Sequence, residues 1–372
     1  MKWFVDQLSA WFTTHGRDLP WRHDVTPYRV WVSEIMLQQT QVATVMPYFE
    51  RWMTRFPTLE SLAVADENDV FSLWQGLGYY RRARYLHQGA QYIIEHCHGD
   101  FPVELASLQK VPGIGAYTAG AIASMAFGQN VPAIDGNAER VLGRYFAIQG
   151  DLKKGTSRQT LEQCAHAIAA QGRAGIINQA IMDLGASLCG KKAQCETCPL
   201  ATHCQANLRQ MTDVLPQKHT PTAKTPRICA ALILKDTAGK VLVARQRPDQ
   251  LLGGLWTFPT LELANDTVSK HNKELLLRSP RIALWHAWLK THGLTAPLAS
   301  CTPSYVWIRH IFTHIDMLMT WDIAHYNTSI SLEALTPDAA LDQFDLVMQK
   351  SSTLDMQDHP SSTLMKKILA KL

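Results

Sequence analysis

The sequence predicts a multidomain protein in which an all-α N-terminal half is joined to an α+β C-terminal half. The chain has 372 residues, which is enough for about two domains of ordinary size. Up to about residue 208, apolar residues recur at helical spacing, whereas from residue 227 they form short runs typical of strands. Residues 209–226 contain three prolines and few apolar side chains, and this composition predicts a linker.

The composition is that of globular domains with a real core. Apolar residues make up 46% of the chain, charged residues make up 18%, and the net charge is +4. A mildly basic chain permits a nucleic-acid partner without requiring one. Asp6 and Gln7 interrupt the apolar N-terminal run, and no uncharged apolar stretch reaches 18 residues, so we expect neither a signal peptide nor a membrane span. We therefore expect a cytoplasmic protein.

The first half consists of apolar periodic segments separated by proline and glycine breaks. In the first segment, the apolar residues fall on one face of a predicted helix, namely Trp3, Phe4, Leu8, Trp11 and Phe12. Breaks at Pro57, Gly76–Gly78, Pro112–Gly115 and Pro132 divide the following segments into further helices. The sequence therefore predicts helices with short connections.

The segment "LQKVPGIGAYTAGAIASM", residues 108–125, predicts a helix–hairpin–helix element. A short helix is expected to end at Pro112, and Gly113 and Gly115 then allow a tight hairpin before an alanine-rich helix. Exposed N–H groups and a helix N-terminus bind phosphate, so the element fits a DNA backbone. The alternative is a plain glycine-capped turn between helices, which the wider pattern "LxxVPGIGxYTAGAI" disfavours.

Two carboxylates stand out, and each has two interpretations. Asp135 in "VPAIDGNAERVLGR" either caps the next helix or is a functional residue of a catalytic site. Glu34 in "VWVSEIMLQQTQV" lies either on a polar helix face with Gln38 and Gln41 or in a desolvated pocket with a raised pKa. Helical spacing alone leaves both questions open.

Four cysteines lie close together in "CGKKAQCETCPLATHC", at positions 189, 195, 198 and 204. Disulfides, a zinc site and an iron–sulfur cluster are the three candidate explanations. Stable disulfides are rare in the cytosol. Zinc ribbons typically contain two separated Cys-x-x-Cys motifs, whereas this segment contains one.

Taken together, the motifs resemble those of the MutY family of adenine DNA glycosylases, within the helix–hairpin–helix superfamily. The resemblance rests on long ordered segments spread over nearly the whole chain: "LPWR", "PYRVWVSEIMLQQTQVATVMPYFERW", "LWQGLGYYRRAR", the hairpin, "DGN", "NQAIMDLGA", the cysteine segment and "RPDQLLGGLWTFP". It implies a helical catalytic domain at 1–208, a linker at 209–226 and a Nudix-like lesion-recognition domain at 227–372.

The resemblance implies base excision repair by a monofunctional glycosylase that flips out adenine mispaired with 8-oxoguanine or guanine. Glu34 would protonate adenine N7, and Asp135 would stabilise the oxocarbenium-like sugar. Tyr117 and Asn137 would lie near the sugar and the water. The related endonuclease III family has a lysine at the position of Tyr117, so no Schiff-base nucleophile is expected here.

Further site residues follow from the same resemblance. It places Trp21, Arg22 and Asp183 around the base, although Asp183 could instead occupy a solvent-exposed helix face. It makes Gln39 and Tyr79 wedges in the base stack, with a polar helix face and a core aromatic as the respective alternatives. The DNA-backbone contacts that the hairpin predicts are Val111, Gly113 and Gly115. In "YYRRARYLH", Arg81, Arg82 and Arg84 are candidate phosphate contacts, with solvated surface or ion pairing as the alternatives.

For the cysteines, the resemblance implies a [4Fe–4S] cluster bound by Cys189, Cys195, Cys198 and Cys204 in a loop at 189–204. The intervals between these ligands are five, two and five residues, where the family has six, two and five. The shortened interval "GKKAQ" retains two lysines suited to phosphate contact.

The second half begins with a predicted hairpin, "RICAALILKDTAGKVLVARQ", and has a second one further along, "YVWIRHIFTHIDMLMTWDIAHY". Its helical candidates are "DTVSKHNKELLLRS" and "SSTLMKKILAKL". A Nudix hydrolase holds Mg²⁺ with a glutamate-rich helix, and this chain has no Glu-Glu pair. The resemblance therefore implies recognition of 8-oxoguanine instead, through Phe312, Thr313 and His314, where the family has Phe-Ser-His.

The expected partner is duplex DNA that contains A·8-oxoguanine or A·G mispairs, bound by a monomer at the nucleoid of a bacterial cell. Two other functions remain in view. One is an endonuclease III-like glycosylase and lyase for oxidised pyrimidines. The other is a lesion-binding protein without catalysis, which the presence of both Glu34 and Asp135 disfavours.

Overall fold

The computed structural model describes residues 1–217, 223–247, 252–264, 281–294, 298–328, 344–350 and 361–372. The chain divides into two compact units, Met1–Thr220 and Pro221–Leu372. Within the described residues, no helix has the length and apolar character needed to cross a membrane.

The predicted linker at 209–226 is too long at both ends. Leu215 is buried, and its carbonyl accepts a hydrogen bond from Arg144 Nε at 2.8 Å. The side chain of Gln217 accepts a hydrogen bond from the Gly150 amide at 3.0 Å. These contacts attach the segment to the helical unit, and the first strand of the second unit already begins at Thr225.

The first unit is helical throughout its described length, as predicted. Proline in the first turn favours α2 and α3, and the side chain of Thr26 caps α3 by accepting from Arg29 N. The helices are α1 Lys2–His15, α2 Pro20–His23, α3 Pro27–Leu37, α4 Val42–Arg55, α5 Leu59–Ala63, α6 Glu67–Trp74, α7 Arg81–Cys97, α8 Leu105–Leu108, α9 Ala116–Met125, α10 Gly136–Tyr145, α11 Gly155–Ala169, α12 Ala174–Ser187 and α13 Gln205–Leu208. Short 3₁₀ turns occupy Cys195–Thr197 and Ala201–His203.

Two apolar cores divide this unit into lobes. The first lobe comprises α2 to α9, whose core contains Trp31, Trp52 and Trp74. The second lobe comprises α1 and α10 to α12, and Phe4 and Leu8 of α1 lie in its core. The predicted apolar face of α1 therefore packs against helices that come much later in the chain.

The hairpin element differs from its prediction in one respect. The helix before the hairpin is α8, which ends at Leu108 rather than at Pro112. Residues 109–115 form the turn, and α9 begins at Ala116. Pro112 lacks a main-chain N–H and so cannot continue a helical hydrogen-bond ladder.

The second unit is α+β, which confirms the predicted fold class. Its described elements are β1 Thr225–Lys235, β2 Lys240–Gln246, β3 Trp256–Thr257, β4 Thr260–Ala264, β5 Leu298–Pro303, β6 Ile308–Ile311, β7 Ile315–Tyr326, β8 Phe344–Lys350, α14 Arg281–Thr291 and α15 Thr363–Leu369. The strands form one sheet with the order β3-β2-β1-β7-β5, and in addition β4 pairs with β1, β6 with β7 and β8 with β2. Strands β1 and β7 run parallel.

The sheet has a core on each face because alternate residues of β1 point in opposite directions. Cys229, Ala231 and Ile233 pack in the same cluster as Met365 of α15. The residues between them pack in a second cluster with Trp285 of α14.

Both predicted hairpins are present. Strands β1 and β2 pair antiparallel where Lys235 faces Val241, and β6 pairs antiparallel with β7 from Ile308 opposite Met319 onward. The predicted helix in "SSTLMKKILAKL" is α15. The other helical candidate, "DTVSKHNKELLLRS", lies outside the described residues.

Candidate active site

A cavity of about 730 Å³ in the first unit is lined by residues from both lobes. Glu34 comes from α3 in the first lobe, whereas Asp135 and Asn137 come from the start of α10 in the second lobe. Tyr117, at the start of α9, also lines the cavity. The four residues predicted to act on the sugar and the base therefore line the same cavity, although they are spread over about a hundred positions of the chain.

Glu34 lies on the buried side of α3, with 5% of its surface exposed, so the polar-face interpretation is wrong. Burial raises the pKa of Glu34 to about 7, although the hydrogen bond that Tyr117 Oη donates to Glu34 Oε2 acts to lower this pKa. The negative charge of Asp135 raises this pKa further. At neutral pH, a substantial fraction of Glu34 is therefore the neutral acid, which can donate a proton.

Tyr117 remains a hydrogen-bond donor to Glu34. Burial and the nearby carboxylates raise the pKa of Tyr117 well above its usual value, so its hydroxyl keeps the proton at neutral pH. The same oxygen lies 3.9 Å from the sulfur of Met182, another residue of the cavity wall.

Asp135 both caps a helix and lines the cavity, so its two interpretations are compatible. Its Oδ1 accepts from the Ala138 amide at 2.7 Å, and its Oδ2 accepts from Asn137 Nδ2 at 2.8 Å. A helix N-terminus favours negative charge. These contacts hold a carboxylate at the cavity wall in a fixed orientation.

The base-pocket residues are arranged in two layers. Trp21 and Arg22 line the cavity, but Asp183 lies behind them with 1% of its surface exposed. Asp183 accepts from Arg22 Nη1 at 2.9 Å and from Arg17 Nε at 2.9 Å. Burial would raise the pKa of Asp183, but the hydrogen bonds from Arg22 and Arg17 outweigh it and lower the pKa. The interpretation of Asp183 as a solvent-exposed residue is therefore wrong.

Sequence reasoning missed Arg17, which lines the cavity and donates three hydrogen bonds to Asp183, one of them from its main-chain amide. No local signal marks it, because its partner is 166 residues away.

A groove of about 730 Å³ adjoins this cavity and is lined by the hairpin. Gly113 has φ +82°, and a Cβ on it would lie 2.5 Å from Tyr85 Cβ. Gly115 is the N-cap residue just before α9, and a Cβ there would meet nothing within 4 Å. The Val111 side chain is buried, so a DNA contact from this residue would have to come from its main chain.

Gln39 and Tyr79 lie on the groove, and Gln39 lines the cavity as well. Tyr79 is 50% exposed, so its interpretation as a core aromatic is wrong. Neither residue is glycine, yet both are left-handed, with φ values of 58° and 51°. Such backbone conformations are rare and tend to occur at functional sites.

The three arginines of "YYRRARYLH" have different environments. Arg81 is exposed, and its guanidinium donates to Tyr85 Oη. Arg82 and Arg84 are buried, with 8% and 7% of their surfaces exposed. Arg82 donates to main-chain carbonyls, and Arg84 donates to Glu67. The predicted phosphate contacts of Arg82 and Arg84 are therefore wrong, because both guanidiniums are engaged inside the protein.

The cysteine segment contains four free thiols and no disulfide. Main-chain N–H groups of Ala206 and Asn207 hydrogen-bond Cys204, and Arg144 Nη1 lies 3.3 Å from Cys189 Sγ. In the described residues, no three potential ligands converge on a single metal ion. Four cysteine thiols with N–H groups directed at their sulfurs are the kind of donors that hold an iron–sulfur cluster, so the chemistry of the segment fits that group.

Two arginines that sequence reasoning missed bind this segment, and one of them, Arg140, also contacts the cavity wall. Arg140 Nη2 donates to Asn137 Oδ1 at 2.7 Å, and Arg140 Nε donates to the Cys189 carbonyl at 2.7 Å. Arg144 donates to the Gly190 carbonyl at 2.7 Å. The spacing of 137, 140 and 144 puts all three on one face of a helix, which is a signal that the sequence offered.

In the second unit, Phe312, Thr313 and His314 form the turn between β6 and β7. Thr313 and His314 are exposed, whereas Phe312 is half-buried against the sheet core. The Phe312 carbonyl accepts from Lys224 Nζ at 2.7 Å, and its amide donates to the Ile315 carbonyl at 2.8 Å. The turn therefore places two polar residues, Thr313 and His314, at the surface.

Comparison with known proteins identifies both units. Residues 32–166 match the family model described as HhH-GPD superfamily base excision DNA repair protein, and residues 229–371 match that of the NUDIX domain. A solved structure of a thermostable thymine-DNA glycosylase has 26% sequence identity and a TM-score of 0.51, over 56% of this chain and 96% of that one. The helical unit therefore shares its fold with DNA glycosylases.

Curated relatives match across both units. The adenine DNA glycosylase of Rattus norvegicus is 35% identical to this chain, in an alignment that covers 90% of this chain and 71% of that protein. That of Arabidopsis thaliana is 37% identical over 83% of this chain, which spans 55% of the length of the plant protein. This chain therefore belongs to the adenine DNA glycosylase family.

Proposed function

We propose that this protein hydrolyses the N-glycosidic bond of adenine mispaired with 8-oxoguanine or guanine in DNA, as a monofunctional glycosylase of base excision repair. One observation carries the proposal. A carboxyl with a pKa raised to about 7 and a carboxylate fixed at a helix N-terminus line the same cavity. Glycoside hydrolysis requires such a pair of an acid and an anion.

The target base has to leave the duplex before it can enter the cavity. The wedge residues Gln39 and Tyr79 lie on the adjoining groove, where they would occupy the space that the extruded adenine vacates. The hairpin 109–115 would hold the DNA backbone through the main-chain N–H groups before α9. Trp21 and Arg22 would contact the base, and Asp183 would fix the orientation of Arg22.

Bond cleavage would then proceed in two stages. Glu34 donates its proton to adenine N7, which makes the base a better leaving group while Tyr117 keeps the carboxyl oriented. As the C1′–N9 bond breaks, the anionic Asp135 stabilises the positive charge that develops on the sugar. Water then adds to C1′ and gives up a proton to the Glu34 carboxylate, which returns to the acid form, and the Asn137 amide would help to hold the sugar and the water in place.

A competing proposal is a combined glycosylase and lyase. Tyr117 occupies the position where such enzymes have a lysine, which argues against it. However, Lys153 lines the cavity, so one amine is near the site. Borohydride would trap a Schiff base between such an amine and the sugar, and no trapped adduct is expected.

We propose further that Cys189, Cys195, Cys198 and Cys204 bind a [4Fe–4S] cluster, which would order the loop that presents Lys191 and Lys192. Cys198→Ser should lower the iron and sulfide content and the visible absorption of the purified protein. Cys164→Ser, a half-buried cysteine outside the segment, is the matched control and should leave all three unchanged. Equal iron content in both variants would contradict the assignment.

The exposed turn at 312–314 is the proposed 8-oxoguanine contact. The Thr313 hydroxyl keeps the hydrogen-bonding group that serine provides in the family, and His314 adds a second polar group. The proposed partner is therefore duplex DNA that carries the lesion opposite adenine, bound by one copy of the chain.

The function is tested by single-turnover cleavage of duplexes with A opposite 8-oxoguanine, A opposite G and A opposite T. We expect the wild-type protein to give alkali-dependent scission of the first two duplexes and none of the A·T duplex. The Glu34→Gln variant should cleave none of the three. Scission without alkali would indicate a lyase. Binding of the mispairs without any cleavage would indicate a recognition protein.

A further inference from the structure

The buried guanidinium of Arg82 contacts the two chain segments that carry Gln39 and Tyr79. On one side, Arg82 Nη1 donates to the carbonyl of Gln38 at 2.6 Å, and Nη2 lies 3.3 Å from Thr40 Oγ1. These two partners flank Gln39. On the other side, Nη2 donates to the Leu77 and Gly78 carbonyls, both at 3.0 Å, directly before Tyr79.

The chemistry of these contacts suits arginine. Arg82 Nη1 also donates to the carbonyls of Ile35 and Met36, at 2.9 Å each, in the last turn of α3. Carbonyls at a helix C-terminus lack intrahelical partners and carry partial negative charge. Burial lowers the pKa of Arg82 to about 10, so the guanidinium is still a cation at neutral pH. A planar guanidinium with several N–H donors can hydrogen-bond carbonyls of two segments at once, whereas the donors of a lysine ammonium are all on one nitrogen atom.

Each of the two segments that Arg82 contacts contains a residue with an unfavourable backbone conformation. Gln39 and Tyr79 are left-handed, and side chains with a Cβ disfavour that region. Both conformations direct their side chains to the same groove. Strained backbone conformations of this kind persist only where contacts with the surrounding structure hold them in place. Arg82 is the side chain that contacts the immediate neighbours of both.

We propose that Arg82 is a positioning residue that locks Gln39 and Tyr79 into one rigid unit, so that the two side chains enter the base stack together. This inference rests on the proposed function, because it assigns Arg82 to extrusion of the base rather than to cleavage of the bond. Arg82 itself touches neither the cavity carboxylates nor the base. Its loss should therefore impair extrusion while Glu34 and Asp135 remain in place.

The test uses the full chain with Arg82→Lys and Arg82→Gln. Arg84→Lys and Arg84→Gln are the matched controls, because Arg84 is on the same helix and equally buried but pairs with Glu67. The duplex carries adenine opposite 8-oxoguanine and a 2-aminopurine next to the adenine, whose fluorescence rises when the stack opens. Thermal melting of each variant measures the purely structural effect.

The wild type and the Arg84 variants should show the fluorescence rise. Both Arg82 variants should lose it, and their single-turnover excision should fall roughly 100-fold, even where their melting temperatures match the controls. Equal fluorescence in the Arg82 and Arg84 variants would overturn the inference, as would a wild type that gives no rise. A wild type that opens the stack without excising adenine would overturn the proposed function and leave the inference standing.

Discussion

At the scale of single residues, the Glu34 carboxyl combines burial with a position beside a second carboxyl. Either influence disfavours the ionised form, and together they raise its pKa to about 7. An ordinary exposed glutamate would be almost fully ionised at neutral pH and would have no proton to donate. The environment of the residue, rather than its chemical type, makes it an acid.

This raised pKa predicts a pH dependence. Because the protonated form of Glu34 is the donor in the proposed mechanism, single-turnover excision should be nearly constant below about pH 6 and should be about halved near pH 7. Above about pH 8 it should fall by about tenfold for each further pH unit, as the acid form is lost. The measurement is the rate on A·8-oxoguanine duplex across this range at saturating enzyme. A rate that stays constant, or rises, at alkaline pH would contradict the assignment of Glu34 as the acid.

Single residues were also the hardest to predict. Helical spacing could not decide which side of α3 Glu34 faces, since apolar residues surround it on most of the helix. Tyr79 was open to interpretation as a core aromatic, but its left-handed backbone puts the ring on the surface. Arg82 suggested a phosphate contact, yet helix-end carbonyls bind it inside the protein. In each case the deciding contact comes from a distant part of the chain.

At the scale of elements, the two hairpin glycines have different structural roles. Gly113 needs its positive φ and has no room for a Cβ beside Tyr85. Gly115 has extended backbone and open space around it, on the side where a phosphate would approach α9.

The contrast predicts opposite stability effects. Gly113→Ala should lower the free energy of unfolding by about 1–3 kcal/mol through strain and overpacking. Gly115→Ala should leave the unfolding free energy unchanged within about 0.5 kcal/mol. Denaturant melts of the two variants measure the difference. A stable Gly113→Ala, or an equally destabilised Gly115→Ala, would show that the hairpin is not held by this close packing.

The type of most elements was predictable, but their ends were less so. The change from helical periodicity to short apolar runs located the second unit, because β1 is buried on both faces and its apolar residues are therefore consecutive. By contrast, Leu215 and Gln217 lie in a proline-containing stretch that reads as linker, and only contacts with Arg144 and Gly150 attach them to the helical unit. Amino-acid composition can indicate that a segment is flexible, but it cannot reveal contacts of this kind with distant residues.

At the scale of the molecule, catalysis and lesion recognition are assigned to separate units, each with its own apolar cores. A fragment of residues 1–220 should therefore excise adenine opposite guanine but lose the preference for adenine opposite 8-oxoguanine. The measurement is the ratio of the two single-turnover rates for the fragment and for the full chain. Thr313→Val in the full chain is the control, and it should lower the ratio by a smaller factor because only a hydroxyl is lost.

A fragment that keeps the full preference would contradict the assignment of recognition to the second unit. The division into two units was predictable from composition and periodicity. The division of the first unit into two lobes was not, because α1 and α12 are adjacent in space although the whole first lobe separates them in sequence.

The placement of α1 in the second lobe has a consequence for biosynthesis. Arg17, just after α1, binds Asp183 in α12, 166 residues later. On the ribosome, α1 emerges first but finds its packing partners last, so the first lobe can condense around its tryptophans while the apolar face of α1 is still uncovered. The wall that carries Asp135 can join Glu34 only after α12 has emerged. A nascent chain arrested before Ala174 therefore contains Glu34, the proposed proton donor, without the helix that completes the second lobe, and we expect the cavity to form only late in synthesis.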